Sequence, residues 1–276
     1  MCKLLSAAAA ALVAIAAPAT VALQMAVAAD AATAETAADN GPAGAAQDAD
    51  GGSAAASASA GEEAARKRRA MVETITAYSR MSGPPFSKRV LAAMAKVARE
   101  DFVPEDLRMR AYDDLPLPIG HGQTISQPYI VALMTELADV TAGEMVLEVG
   151  TGSGYQAAVL AELGAVVFTI EIVEPLAEQA RTRLKGRGYD NVHVRAGDGY
   201  AGWPEHAPFD AVIVTAAPDR IPPPLIEQLA SGGKLVVPVG EAGAVQQLTV
   251  VEKAADGSVA ERAVTPVRFV PLTRPK

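Results

Sequence analysis

The segment from Met145 to Gln156, Met-Val-Leu-Glu-Val-Gly-Thr-Gly-Ser-Gly-Tyr-Gln, constrains this chain more than any other. Met145, Val146, Leu147 and Val149 form a short apolar run closed by glycine, the pattern of a buried strand. Glycines at 150, 152 and 154 let the backbone turn sharply and leave no Cβ between it and a ligand. The residues from Ala157 to Leu163 predict a helix whose free N–H groups and positive dipole end face the turn. Strand, glycine turn and helix in this order predict a nucleotide-type site at the carboxyl end of a parallel strand. A dinucleotide-binding turn would place its third glycine at position 155, where this chain has Tyr155.

The chain after this turn alternates. Strands are predicted over Val166 to Glu171, Val192 to Asp198, Phe209 to Ala217 and Lys234 to Val239, and helices over Glu174 to Lys185 and Pro223 to Ala230. Gln246 to Lys253 and Ala263 to Thr273 read as a closing antiparallel pair about Asp256-Gly257. The fold class expected is α/β, a doubly wound, mostly parallel Rossmann-like sheet with right-handed crossovers and an N-terminal helical extension. Two helices precede it, Glu62 to Arg80 and Ser87 to Arg99, broken by Gly83-Pro84-Pro85. Ala111 to Pro128 holds three prolines and two glycines and reads as a loop, long enough to suggest function. Pro128 is suited to open a helix, with Ile130, Met134 and Leu137 as its buried stripe.

The amino end has a different character. Met1-Cys2-Lys3, an apolar run from Leu4 to Ala17, and Ala26-Val27-Ala28 before Ala29 have the layout of a secretory signal over residues 1–29. The run is shorter than the about 20 residues of a membrane span. Export to the periplasm is one expectation and a cytoplasmic enzyme behind a mis-assigned start is the other; no membrane insertion is expected once a signal is removed. Residues 30–61 are Ala, Gly, Ser, Thr and acid, and are expected to be a disordered linker, leaving 62–276 as the folded domain. Arg66-Lys67-Arg68-Arg69 reads as a solvated helix face. A net charge of −8 gives no basic footprint for nucleic acid. A single cysteine, Cys2, excludes an intrachain disulfide, and three scattered histidines predict no metal site.

Acids recur at the predicted strand ends. Glu148 closes the first strand, Glu171 the second, and Asp198, in Gly197-Asp198-Gly199, the third. A carboxylate at Glu171 is placed to accept from two ribose hydroxyls, and Asp198 to accept from an adenine amino group. With the pattern Glu-x-Gly-x-Gly-x-Gly at 148–154, the site resembles that of Rossmann-like S-adenosylmethionine-dependent methyltransferases.

Further motifs narrow the likeness. Leu117-Pro118-Ile119-Gly120, Gln123-Thr124-Ile125-Ser126-Gln127-Pro128, Gly197-Asp198-Gly199, Pro208-Phe209-Asp210-Ala211-Val212-Ile213-Val214-Thr215-Ala216-Ala217 and Val267-Arg268-Phe269-Val270-Pro271-Leu272 occur in order. From about residue 70 onward the chain resembles the protein-L-isoaspartate O-methyltransferases. That resemblance implies S-adenosyl-L-methionine as cofactor and isoaspartyl proteins and peptides as partners. It implies Ser126 as the active-site residue, orienting the substrate carboxylate. It further implies a cofactor site of Thr124, Ile125, Glu148, Gly150, Gly152, Gly154, Glu171, Asp198 and Gly199, closed by Thr273. A helix N-cap is the competing role for Ser126. His121 departs from the family pattern and reads as a hydrogen-bonded loop histidine; Tyr200 and Trp203 read as packing residues. A different O-methyltransferase and a non-catalytic binding module are the alternatives.

Overall fold

The structure is a computed structural model describing residues 50–274. The signal-like segment and the linker up to residue 49 lie outside the described residues. Helix α1 spans Asp50–Ser82, so residues 50–61, expected as linker, are helical. Scarcity of branched residues argued for chain entropy, but alanine is the best helix former and extends the helix backward. Its buried Met71, Ile75 and Ser79 recur every fourth residue. Helix α2 spans Lys88–Lys96, and the Val90 N–H donates to its N-cap Ser87 hydroxyl at 3.4 Å. It stops short of the expected Arg99 because Val97 turns extended (φ −70°, ψ 120°), burying itself and turning Arg99 into the core.

The expected loop is partly a hairpin. Strands β1 (Leu117–Gly120) and β2 (Gln123–Ile125) pair antiparallel, Leu117 against Ile125. The residues that argued for a loop fall where a small hairpin tolerates them: Pro118 on an edge strand, glycines flanking His121 at the tip. Helix α3 (Pro128–Ala138) starts with Pro128 as expected. Its buried face is Val131, Met134, Thr135 and Ala138, with Ile130 and Leu137 only partly covered.

The remainder is the wound sheet: β3 (Met145–Val149), α4 (Tyr155–Glu162), β4 (Val166–Glu171), α5 (Glu174–Gly186), β5 (Val192–Ala196), β6 (Phe209–Val214), α6 (Pro223–Glu227), β7 (Leu229–Val239), β8 (Gln246–Lys253) and β9 (Val259–Val267). Spatial order is β5-β4-β3-β6-β7-β8-β9, with β8 antiparallel to both its neighbours, β7 and β9, and every other pair parallel. The chain runs outward from β3 to β5 and then returns to β6 on the other side of β3. The carboxyl end of β3 is therefore the switch point where such sheets bind ligands. Side chains alternate across the sheet: Val146, Val167 and Ile213 join the core under α1–α5, while Leu147, Phe168 and Val212 join a second core on the opposite face.

Three strands end before their predicted limits. β5 and β6 close at Ala196 and Val214, freeing 197–199 and 215–217 for the rim. β9 stops at Val267, and the residues after it cross to Ala217. There the Ala217 N–H donates to the Val270 carbonyl and the Leu272 N–H to the Ala217 carbonyl, each at 2.8 Å. Pro271 between them has no N–H to give a ladder, so the segment serves as a strap.

Candidate active site

The glycine turn is built by contacts that exclude side chains. Gly150 has φ 101°, and a Cβ there would stand 2.4 Å from Thr215 Oγ1. That hydroxyl donates to the Gly150 carbonyl at 2.5 Å and so ties the turn to the end of β6. Gly154, at φ 88°, is the N-cap of α4, and a Cβ on it would meet Leu184 at 3.1 Å. Its role is packing α4 against α5, and it does not line the cleft, contrary to its expected place in the cofactor site. Tyr155, in place of a further glycine, is buried below the Arg99 guanidinium, 4.8 Å from its ring centre.

A cleft lies over the turn, its lining drawn from the hairpin, the ends of β3 and β4, and the strap. The hairpin supplies Gln123, Thr124, Ile125 and Ser126; the turn supplies Gly150 to Ser153; β4 supplies Glu171; the strap supplies Val270 to Thr273. Gly199 reaches it from beyond β5. Of the residues expected from sequence, Ser126, Thr124, Ile125, Glu148, Gly150, Gly152, Glu171, Gly199 and Thr273 are brought together, while Gly154 and Asp198 are not.

The three acids differ in kind. Glu171 is buried at 5% exposure; its Oε2 accepts from the Gly152 N–H at 2.7 Å and its Oε1 from the Val173 N–H at 3.0 Å. Each carboxylate oxygen still has a lone pair for a ligand hydroxyl. Glu148 was expected at the rim, but it lies one residue inside β3, fully buried, and borders the cleft from beneath. Its Oε2 accepts from the Thr169 hydroxyl at 2.6 Å, and that hydroxyl contacts Thr151 Oγ1 at 2.6 Å. Its Oε1 has no partner among the described residues. Burial, with Glu171 nearby, pushes the Glu148 carboxyl up to about 8. Asp198 caps the 3₁₀ turn Gly199–Ala201, accepting from the Tyr200 N–H at 2.9 Å. Only its neighbour Gly199 lines the cleft.

Ser126 lies between β2 and α3. The N-cap of α3 is Gln127 (φ −51°, ψ 135°), whose side chain does not cap the helix. The capping role therefore does not fall to Ser126, and its half-buried side chain lines the cleft. Ile125 beside it is an anchor at 3% exposure. The hairpin rests on the turn: a Cβ on Gly152 would lie 3.3 Å from Ile119 Cδ1. His121, expected to be hydrogen-bonded, is exposed at the hairpin tip with φ 52°. Tyr200 secures the strap, donating from its hydroxyl to the Leu272 carbonyl at 3.1 Å beneath Arg274, whose guanidinium is 4.3 Å from the ring centre.

A family model described as protein-L-isoaspartate(D-aspartate) O-methyltransferase matches residues 68–276. The chain belongs to this family. It is 62% identical over 208 residues to protein-L-isoaspartate O-methyltransferase 2 of a Polaromonas species, covering 74% of this chain and 99% of the relative. It is 52% identical over 236 residues to the Syntrophobacter fumaroxidans protein of the same name, covering 86% and 92%. A solved protein-L-isoaspartate O-methyltransferase superposes with a TM-score of 0.66 at 28% identity, over 74% of this chain and 65% of that one. A Plasmodium falciparum structure, described as a protein-L-isoaspartate O-methyltransferase in complex with S-adenosyl-L-homocysteine, gives 0.65 at 25% identity, over 75% and 99%. The chain is thus an enzyme, an O-methyltransferase of protein isoaspartyl residues.

Sequence reasoning passed over several cleft residues of this methyltransferase. Thr215 was quoted within a motif but given no role, although a hydroxyl next to a strand end facing a glycine turn was a usable signal. Gln156 lines the cleft with its Nε2 donating to Thr135 Oγ1 at 2.9 Å, a contact no sequence pattern announces. Val270 to Leu272 were read as strand, since nothing local shows that Ala217 would recruit them.

Proposed function

We propose that this chain transfers the methyl group of S-adenosyl-L-methionine to the free carboxylate of an L-isoaspartyl residue in a damaged protein or peptide, with the Ser126 hydroxyl directing that carboxylate. The observation that carries this reading is the placement of Ser126, free of a capping role, in one cleft with the glycine turn and Glu171. The residues present fit the cofactor. Glu148 Oε1 is a buried polar atom without a partner among the described residues, at a residue that borders the cleft, and the turn presents glycine rather than a side chain at positions 150 and 152. Glu171 would accept from the ribose hydroxyls, Thr124 and Ile125 would run alongside, Gly199 and its neighbour Asp198 would meet the adenine, and Thr273 would close the site.

When bound, the cofactor supplies a methyl group on a positively charged sulfur. An isoaspartyl carboxylate has an ordinary pKa of about 4 and is ionised at neutral pH, so no strong general base is needed. Ser126 donates to one carboxylate oxygen and aims the other. That oxygen forms the new O–CH₃ bond as the S–CH₃ bond breaks, and no proton moves. Holding the two in line accounts for roughly 7–11 kcal/mol of barrier lowering. The methyl ester then loses methanol and closes to a succinimide, which opens in part to normal aspartate, so the outcome is repair.

The test uses labelled cofactor with an isoaspartyl peptide and its aspartyl twin. Methanol released only from the isoaspartyl peptide is expected. Equal labelling of both would favour a broader O-methyltransferase, and tight cofactor binding without turnover a binding module. No helix among the described residues is long and apolar enough to cross a membrane.

A further inference from the structure

Ser126 lies in a two-residue link, and a hydroxyl that aims a substrate needs a fixed backbone on both sides. On one side Ile125 supplies it, buried in the core. On the other, α3 opens with proline and has no capping side chain on Gln127. A distant residue fills that gap. Asp114 Oδ1 accepts from the Tyr129 N–H and Asp114 Oδ2 from Gln127 Nε2, both at 2.8 Å, so one carboxylate bridges Pro128. A negative charge at this helix start is also favoured by the helix dipole.

Asp114 is itself held. Arg99, fully buried, donates from Nε to the Ala111 carbonyl at 2.8 Å and from Nη2 to the Leu115 carbonyl at 3.4 Å, fixing the turn that bears Asp114. The same guanidinium stacks over Tyr155, which lines the cleft. A continuous line of contacts therefore runs from the cleft wall through Arg99 and Asp114 to Gln127, next to Ser126.

We propose that Asp114 is a positioning residue for the methyl transfer, holding Gln127 and the start of α3 so that the Ser126 hydroxyl points at the incoming carboxylate. This rests on the reading of Ser126 given above. The Asp114 carboxylate touches neither substrate nor cofactor; its effect passes through Ser126.

The experiment is a double-mutant cycle in the full chain with Asp114→Ala, Ser126→Ala and both, reading kcat and KM on an isoaspartyl peptide and the affinity for S-adenosyl-L-homocysteine by calorimetry. Asp114→Ala is expected to lower kcat about 10- to 100-fold, the scale of a charged hydrogen-bond pair, with the calorimetric affinity shifted by less than about threefold. On the Ser126→Ala background it is expected to cost nothing further. Asp114→Asn should recover most of the rate, since Asn Oδ1 still accepts from Tyr129 and the Gln127 amide can turn over to meet Asn Nδ2. Gln127→Ala, outside the core, gives a second route should Asp114→Ala fail to fold, with the same kcat-only loss expected. The inference is overturned if the S-adenosyl-L-homocysteine affinity falls as far as kcat, if the loss recurs undiminished without the Ser126 hydroxyl, or if kcat is unmoved. Normal turnover by Ser126→Ala alone would instead remove Ser126 from the mechanism, a separate failure.

Discussion

Glu171 Oε2 accepts the Gly152 N–H at 2.7 Å, so the carboxylate that ends β4 holds in place the glycine turn that ends β3. Two strands thus share one buried acid where their carboxyl ends meet. Glu171→Ala should therefore act twice, removing the ribose acceptor and loosening the turn. The cofactor KM is expected to rise by about tenfold or more, the scale of hydrogen bonds to a charged group, with kcat changed less. A kcat defect at unchanged KM would contradict the ribose assignment.

Ser126 is expected to separate activity from stability. Ser126→Ala loses a hydrogen bond to a charged group worth roughly 1.5–3 kcal/mol, or about 10- to 100-fold in rate. Because Gln127 occupies the N-cap, the melting temperature should stay within about a degree or two of the parent, below what a lost cap costs. A large fall in melting temperature would mean that the hydroxyl supports the helix instead.

Glu148 makes stability depend on pH. Its carboxyl, ordinarily at 4.5, is raised to about 8 in the folded chain. The unfolded chain therefore gives up this proton first. The stability contributed is fully present below about pH 4.5 and is lost as pH rises to about 8. Glu148→Gln, neutral at every pH, should melt progressively higher relative to the parent between pH 5 and pH 8, by several degrees on a scale of about 2–4 °C per kcal/mol. Parallel melting curves across that range would remove the buried proton from the account.

For the amino end, a cut near Ala29 is expected in cells that export the chain. An intact mass on protein from separated periplasmic and cytoplasmic fractions tests it: a shortened chain in the periplasm supports the signal, and the full-length chain in the cytoplasm overturns it.

Much of this arrangement was legible in the residues, and the rest fails for identifiable reasons. β4 and β8 run as predicted, since apolar runs bounded by turn residues report strands directly. Glu171 and Ser126 both line the cleft; the end of a predicted strand pointed to the first and the family resemblance to the second. Glu148 was misjudged because its letter shows a charge and its sequence position does not show the strand's pleat, which turns it inward toward Thr169. Asp198 caps the turn whose Gly199 lines the cleft, a role that a short acid beside glycine takes as readily as a ligand contact and that its letter alone does not separate. The pairing of Asp114 with Gln127 and Tyr129 spans a loop and a hairpin, and no local period encodes it.

The strap that leaves β9 and docks on Ala217 bears on how the protein is handled. A purification handle fused behind Lys276 would begin at the fourth position after Thr273, which borders the cleft. Such a handle would start close to the mouth of the cleft and to the hydrogen bonds that seat Leu272. Affinity tags, immobilisation chemistry and reporter fusions therefore belong away from the strap, and behind Ala29 where the chain is exported, since a tag ahead of that cut would leave with the signal.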